Sequence, residues 1–482
     1  MPSTDIQFYQ IPSGLRKPGA YFEFNTLLAV NSLPANVYSV MIVAQMLASG
    51  TAAPLTPTEV FSSAQAAAYF GQGSQAHLMV KSALAANSTL TLYVCGVLDA
   101  ATGNPLAATG TLTIAGAPTN TGVLTLYINN EMAQVGISTT DTPTTIAANL
   151  MTELATMPDL PVSYTVAAGV VTFHALNKGT VGNQISLNAS VTAAGVTAVA
   201  TAMTGGVVDP SLAGAFAACF PGEYSIYAVP YIDQTNLQAL RTQVEGVSAY
   251  NQQRGATGVC GFTGALAAST TLAGEINNGR MLEAYLPGSY SAPFEVAAAM
   301  AAKMAYETDP AMPLNTLKLL GINAPAVANW LTGTEIESLL WNGVTPLCVD
   351  ADGDVAIVRA ISTYTTNSSG IADPSLLDIT TIRSLDYVRL ACRTMFMLRF
   401  PRSKLVAAGP TTSGTAAQVR SALLTTLLQL ESLEIVENVE ANAAGLLVEQ
   451  DSQSVTQLDA KIPAAVVPGL HVFAARIDLL LQ

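Results

Sequence analysis

Hydrophobic and polar residues along this chain follow two periodicities. Alternation every second residue and short apolar runs predict strands, whereas apolar positions three and four residues apart predict helices. The predicted strands are VYSVMIVAQ, TLTLYVCGV, GTLTIAG, GVLTLYINN, PVSYTVAAGVVTFHA, NQISLNASV, YSIYAVPYI and a strand region at TPLCVDADGDVAIVRAIST. The predicted helices are SSAQAAAYF, TTIAANLMTELATM, NLQALRTQVEGVSAY, FEVAAAMAAKMAYE, LDITTIRSLDYVRLACRTMFMLRF and roughly Ala416 to Leu433. This mixture predicts an α/β fold with several domains.

Both ends of the chain carry strand-like alternation outside any predicted core. Near the start, Phe22 and Phe24 share one side of an extended segment and Glu23 lies on the other. At the end, HVFAARIDLLLQ alternates in the same way. A half-buried strand needs a partner to satisfy its backbone hydrogen bonds, so each end raises the question of what it pairs with.

Shifts in composition predict five regions. Residues 1–36 form an N-terminal arm, and 37–100 form the first half of an α/β domain. Residues 101–208 are rich in Thr, Gly and Val and form a β-rich inserted domain that ends near Gly205 and Gly206. Residues 209–360 complete the α/β domain, and 361–482 form a C-terminal domain that ends in an arm strand.

Composition favours self-association in the cytoplasm. Of the 482 residues 50% are hydrophobic and only 11% charged, which is little surface charge for a soluble monomer. No run of about 20 apolar residues could span a membrane, and no secretory signal is recognisable. The net charge of −14 argues against direct nucleic-acid binding. The five cysteines are dispersed, as expected for reduced, buried thiols.

The signatures of enzymes are mostly missing, so the expectation is a protein without catalysis or cofactor. The chain has three histidines, and it has no H-E-x-x-H motif, no phosphate-binding G-x-x-x-x-G-K-[ST] loop and no G-x-S-x-G elbow. Asp350, Asp352 and Asp354 in VDADGDV are weak candidates for calcium binding. Their spacing lacks the glycine and glutamate of an EF-hand loop, so a tight turn between two strands is favoured.

Basic residues crowd one region of this acidic chain, from Arg383 to Lys404. On a helix, Asp386, Arg389 and Arg393 fall on one stripe. Two interpretations stay open: a solvated face with an internal ion pair of little worth, or a surface that docks onto an acidic partner.

Long blocks of the sequence resemble the tail sheath proteins of contractile-tailed bacteriophages, in their Mu-like branch. The blocks, in family order, are IPSGLRKPGAYFEFNTLLAVNSLP, DPAMPLNTLKLLGINAP, VDADGDVAIVRAISTYTTNSSGIADPSLLDITTIRSLDYVR, FPRSKL and QLDAKIPAAVVPGLHVFAARIDLLLQ. They cover both ends and most of the second half. Between 101 and 208 the resemblance is weak.

The resemblance implies a structural subunit that polymerises helically around a tail tube and contracts to drive the tube through the host envelope. It implies exchange of terminal strands between copies, with the arm residues Tyr21, Phe22, Phe24, Val30, Val472, Phe473, Ile477 and Leu479. The tube-facing candidates are Arg389, Arg393, Arg402 and Lys404. Implied partners are further copies, the tail tube protein, and the baseplate and tail terminator proteins, with assembly in the host cytoplasm and residence in the virion tail.

Three alternatives remain at this point. A contractile bacteriocin or a secretion-system sheath would share the same blocks. A self-assembling surface protein or adhesin would share the composition, but it should show an export signal. A hydrolase using the Asp350 to Asp354 carboxylates would need a second catalytic group that the spacing does not reveal.

Overall fold

A computed structural model describes residues 16–22, 33–408 and 414–480 of the chain. Contacts divide the chain into two compact units, one of residues 1–35 and 388–465 and one of residues 36–387 and 466–482. The division falls within one long helix, between Tyr387 and Val388.

The second unit is organised around an eight-stranded sheet with the strand order β15-β14-β13-β12-β11-β1-β3-β2. The six inner strands run parallel, and β2 and β15 pair antiparallel at the two edges. The strands are β1 (Ser39–Gln45), β2 (Pro57–Glu59), β3 (Thr91–Val97), β11 (Ile226–Ala228), β12 (Thr257–Phe262), β13 (Met281–Tyr285), β14 (Thr345–Val349) and β15 (Val355–Ile357). The helices are α1 (Ser63–Phe70), α2 (Gln75–Ala86), α4 (Ala213–Cys219), α5 (Gln234–Ser248), α6 (Leu266–Ile276), α7 (Pro293–Tyr306), α8 (Gly333–Trp341) and α9 (Ile379–Arg399), the last crossing the division.

The centre of this sheet is buried on both faces. Six of the seven residues of β1 are buried, as a strand covered by helices requires. Helix α7 packs against α2 and β12, and all of its residues except Tyr306 are buried. Pro293 opens this helix at its first turn, where a missing N–H costs nothing. Gly71 ends α1 with a φ of 87°, a left-handed conformation that favours glycine.

Between β3 and β11 the chain forms a separate β-rich body with its own hydrophobic core, whose buried residues run from Ala108 to Met203. One antiparallel sheet has the order β10-β4-β8-β7 and the other β6-β5-β9. The strands are β4 (Thr109–Gly116), β5 (Gly122–Ile128), β6 (Glu131–Ile137), β7 (Val162–Ala167), β8 (Val170–Ala175), β9 (Leu187–Val191) and β10 (Val196–Ala200). Helix α3 (Pro143–Leu154) contributes Ile146 and Leu150 to this core.

Polar side chains join this β-rich body to the eight-stranded sheet domain. The Nζ atom of Lys81 on α2 donates to Glu131 Oε1 at 2.6 Å and to Asp159 Oδ2 at 2.7 Å. Elsewhere at the boundary, the backbone N–H of Gln75 donates to Asn177 Oδ1 at 3.1 Å, and Tyr127 stacks on Tyr290 with ring centroids 4.8 Å apart. The two bodies are therefore joined by specific polar and aromatic contacts in addition to the chain itself.

The other unit contains the end of α9, α10 (Gly414–Ser432), α11 (Val439–Asn442), β16 (Val436–Glu437), β17 (Leu447–Gln450) and β18 (Leu458–Lys461), while β19 (Ala465–Val466) lies at the second division point. Helix α10 contacts β17. The Arg420 guanidinium secures this contact, because it donates to the carbonyl oxygens of Leu446 and Ala443, each at 2.8 Å. Within the described ranges no helix has the length and apolarity needed to cross a membrane.

The structure confirms the α/β class and most of the predicted elements, but the sequence patterns missed several. Among those missed are α2, β6, β12 and β13. Strand β12, with the sequence TGVCGF, and β13, with MLEAY, are short and fully buried. They show no alternation, because both of their faces lie in the core.

Candidate assembly surfaces

The C-terminal tail exposes a row of large apolar side chains. From residue 467 to 480 the described chain forms no helix or strand. Phe473 is 85% exposed and Ile477 is 96% exposed, and Val472, Leu479 and Leu480 are also exposed. A strand predicted at this end is therefore not present within one copy, and its apolar residues have no cover there.

The root of this tail is held firmly at His471. Its Nδ1 lies 2.9 Å from the Asn315 side-chain amide nitrogen, and its Nε2 lies 3.4 Å from Asp378 Oδ1. Burial lowers the pKa of His471, the nearby Asp378 raises it in part, and Arg359 lowers it. With Nδ1 accepting from Asn315, the neutral ring carries its proton on Nε2, facing Asp378. The tail therefore begins at a residue held by these contacts, and its apolar side chains are exposed from Val472 onward.

A cavity of about 490 Å³ opens beside this root. Apolar side chains lining it include Leu340, Trp341, Leu377 and Val472. Trp341 is 81% exposed, which is unusual for an indole. Arg359 also lines the cavity, and its guanidinium is bound to both oxygens of Asp378, at 2.8 and 2.9 Å.

The N-terminal segment is described only between residues 16 and 22. Tyr21 is exposed, and Phe22 is 89% exposed. The Tyr21 hydroxyl donates to the Lys17 carbonyl oxygen at 2.9 Å, so this short piece closes into a turn. The other two arm candidates, Phe24 and Val30, lie outside the described residues.

The basic region from Arg383 to Lys404 does not form one continuous surface. Arg383 is buried and donates to the carbonyl oxygens of Met304 at 3.1 Å and Glu307 at 2.6 Å, near the end of α7. Of the tube-facing candidates Arg389 is half-buried, whereas Arg393, Arg402 and Lys404 are exposed. Asp386, which the helical stripe placed beside the arginines, forms a bidentate pair with Arg280 at 2.7 and 2.9 Å.

The three aspartates of VDADGDV form the turn between β14 and β15 and converge on one lysine. Lys318 Nζ lies 2.9 Å from Asp350, 2.6 Å from Asp352 and 2.9 Å from Asp354. The hydrogen bond from Lys318 lowers the pKa of Asp350, as do backbone N–H donors of the turn. Across the described ranges no group of three or more His, Cys, Asp or Glu side chains is arranged to hold a metal ion.

A small hairpin in the unit of residues 388–465 leaves both of its edges unpaired among the described residues. Strands β17 and β18 pair with each other antiparallel, from Leu447 opposite Lys461 to Gln450 opposite Leu458. Most of their side chains are exposed. Two strands alone are marginal in water, so this hairpin presents backbone donors and acceptors that a further strand would satisfy.

Sequence reasoning missed the residues that hold these surfaces in place. Lys318 and Lys81 are isolated lysines whose carboxylate partners lie 32 or more positions away, so no local pattern marks them. His471 lies in an alternating, strand-like segment of the sequence, and this pattern does not reveal its contacts. Its neighbour Asn315 lies in the family block DPAMPLNTLKLLGINAP, which was the one available signal.

Comparison with known proteins identifies two family domains and a full-length relative of this chain. Residues 205–363 match the phage tail sheath protein central domain, and residues 372–479 match the phage tail sheath C-terminal domain. The Mu-like prophage FluMu tail sheath protein of Haemophilus influenzae is 31% identical over 493 residues, covering 99% of this chain and 100% of its own.

Two solved structures share the fold at low sequence identity. The sheath tail protein of Desulfitobacterium hafniense has a TM-score of 0.51 at 13% identity and covers 94% of this chain and 97% of its own. The sheath tail protein Lin1278 of Listeria innocua has a TM-score of 0.50 at 13% identity, with 91% and 94% covered. Sheath proteins are structural and assemble as oligomers, and they are not enzymes. This chain belongs to the phage tail sheath family, as a structural subunit of a contractile sheath in the virion tail.

Proposed function

We propose that this subunit polymerises around the tail tube by lending both chain ends to neighbouring copies, so that the subunits stay joined while the sheath contracts. The observation that carries the proposal is the tail itself. From residue 472 onward it presents exposed apolar side chains in strand-like alternation, anchored at His471.

Burial of this tail in another copy would remove a large apolar area from water. Fully covering one Phe, Ile or Leu side chain stabilises a contact by roughly 1.5–3 kcal/mol before the cost of ordering the tail. Phe473, Ile477 and Leu479 lie on one side of an extended chain. A strand added by one copy to a sheet of the next also satisfies the backbone groups of the tail.

The hairpin of β17 and β18 is the proposed receiver for such a strand. It has two unpaired edges among the described residues, and the Arg420 contacts hold it against α10. A head-to-tail contact of this kind, repeated without closing, builds a helical filament. The N-terminal arm, with Tyr21, Phe22, Phe24 and Val30, is proposed to make a second link.

The tube-facing surface is proposed to include Arg393, Arg402 and Lys404, with Arg389 beside them. The three exposed cations suit an acidic tube surface, and the interaction of exposed charges is weak enough to allow release. Arg383 is excluded from this surface because it is buried.

We take residues 1–36 as the N-terminal arm, 101–208 as an inserted domain interrupting the α/β domain of 37–100 and 209–360, and 361–482 as the C-terminal domain. The separate core from Ala108 to Met203 supports the insertion. The tail tube, baseplate and tail terminator proteins are the proposed partners, with assembly in the host cytoplasm before incorporation into the virion.

Replacing Phe473, Ile477 and Leu479 together with Asp tests the exchange of the tail. The variant should remain a folded, soluble subunit, because these side chains contact little within one copy, but it should form no long tubes in electron micrographs. Arg476→Ser on the opposite side of the tail is the matched control and should form tubes normally. Normal tubes from the triple variant would refute the proposed role of the tail.

A further inference from the structure

The cavity beside His471 combines an apolar floor with an acidic rim. Trp341, Leu340 and Leu377 supply the apolar lining. Its volume, about 490 Å³, lies within the range of pockets that enclose a ligand-sized group. An exposed indole at its edge resembles the aromatic anchors that dominate protein interfaces.

The charge of the rim is negative. Arg359 and Asp378 neutralise each other through their bidentate pair, and partial burial lowers the pKa of the half-buried His471. Glu337 and Asp373 remain as the carboxylates lining the cavity. The Tyr364 hydroxyl donates to Asp373 at 2.8 Å, which leaves that carboxylate charged.

One described segment of this same chain has the complementary chemistry. Residues 16–22, with the sequence RKPGAYF, carry two cations followed by two exposed aromatic rings. The hydrogen bond from the Tyr21 hydroxyl to the Lys17 carbonyl oxygen brings the basic and aromatic ends together in one turn. Every described residue of this segment is exposed.

We infer that the cavity beside His471 receives the segment from Arg16 to Phe22 of a second copy, with an aromatic ring on Trp341 and the cations at Glu337 and Asp373. This inference rests on the proposed exchange of chain ends and adds a seat for the N-terminal arm. Because His471 and Val472 line the cavity, the seat adjoins the point where the C-terminal tail departs. One subunit thereby holds an incoming arm next to its own outgoing tail.

Disulfide trapping between two populations of the full chain tests the seat. One population carries Phe22→Cys, the other Ala372→Cys, and the mixture is assembled and then oxidised with a small-molecule disulfide. The two thiols transfer their hydrogens to the reagent and form one disulfide bond between copies. The product is detected as a dimer on a non-reducing gel. The matched control mixes Phe22→Cys with Thr119→Cys, which lies on the β-rich body, and should give no dimer. The wild-type chain should give no dimer either.

Charge reversal provides a second readout. Glu337→Lys should lower the yield of the trapped dimer several-fold, and Lys17→Glu in the other population should restore it. A chain that carries both Phe22→Cys and Ala372→Cys provides one more test. A disulfide bond within that chain, in place of a bond between copies, would overturn the inference.

The outcomes separate this seat from the proposed exchange itself. If the cysteine variants form tubes but no trapped dimer, and the triple tail variant forms no tubes, the proposed seat is refuted. The proposed exchange of the tail would then still stand. Tubes that the triple tail variant also forms would instead refute the exchange.

Discussion

At the scale of single residues, Glu283 on β13 is an acidic side chain in the hydrophobic core. Its side chain is buried, and the Ser269 hydroxyl donates to its Oε1 at 2.5 Å. Burial raises the pKa of Glu283 to about 8, against 4.5 ordinarily, and the bond from Ser269 lowers it only in part. The carboxyl is therefore protonated in the folded protein at neutral pH, since a charge there would lack a counterion.

Glu283 should make the stability of the subunit depend on pH. Because the folded state holds a proton that the unfolded state releases above pH 4.5, the stabilisation is complete below that value and is lost as the pH rises through about 8. The loss approaches about 1.4 kcal/mol per pH unit within this window. Thermal melts from pH 5 to 9 should show the wild type losing stability relative to Glu283→Gln, which carries no titrating proton.

The control for this titration is Glu275→Gln, an exposed glutamate on α6, the helix that also carries Ser269. It should follow the wild-type pH profile. A constant difference between wild type and Glu283→Gln across the whole range would show that Glu283 does not titrate as described.

At the scale of elements, α9 shows how one helix divides its basic residues between core and surface. Arg383 caps carbonyl groups near the end of α7, where a cation is favoured, and its guanidinium lies 4.3 Å from the Tyr38 ring centroid. Almost three turns later Arg393 is exposed. The basic region from Arg383 to Lys404 therefore contains both a buried and an exposed arginine.

Reversing the exposed charges separates assembly from folding. The double variant Arg393→Glu and Arg402→Glu should bind the tail tube protein more weakly in co-sedimentation, with the greatest loss at low salt, because exposed charges are screened. Its melting temperature should stay within a few degrees of wild type, since neither side chain is buried. Lys178→Glu, an exposed lysine on the β-rich body, is the matched control. Unchanged tube binding by the double variant would place the tube contact elsewhere.

At the scale of the whole molecule, the β-rich body between β3 and β11 is held by more than its two connections. Lys81 joins α2 to both Glu131 and Asp159. Burial disfavours the charged form of Lys81, but the hydrogen bonds that its Nζ donates to Asp159 and Glu131 outweigh this effect, and the pKa of Lys81 is raised. Removal of the whole body would leave Lys81 without Glu131 and Asp159, and the backbone N–H of Gln75 without Asn177, so the deletion would lower the stability of the remaining domain.

Lys81→Met should loosen this boundary without unfolding either body. Loss of a partly exposed ion pair costs about 1 kcal/mol, which corresponds to roughly five-fold faster local opening. Hydrogen exchange should therefore accelerate in the segments around Glu131 and Asp159, and remain unchanged in β12 and β13 at the centre of the sheet. Lys178→Ala should leave both regions unchanged, and equal exchange at the boundary in Lys81→Met and wild type would show that the lysine does not hold it.

Local patterns determined the elements that bury one face or one stripe. The alternation in β5 and β8, the spacing in α3 and α5, and the proline and glycine stops follow from short-range geometry, and the sequence predicted them. The resemblance to tail sheath proteins at the two chain ends and in the second half could also be recognised from the sequence alone, because long blocks occur in the same order as in the family. Strands β12 and β13 escaped, since a strand covered on both faces has no period to detect.

Tertiary structure alone decided which charges meet and which apolar residues stay uncovered. Lys318 finds three aspartates, and Arg383 enters the core while Arg393 does not, because these outcomes depend on contacts between residues far apart in sequence. The alternation of the C-terminal end was visible in the sequence, but its exposure was not. An alternating pattern predicts only that one side of a strand is buried. Within one copy of this chain, the apolar side chains of the C-terminal end remain exposed.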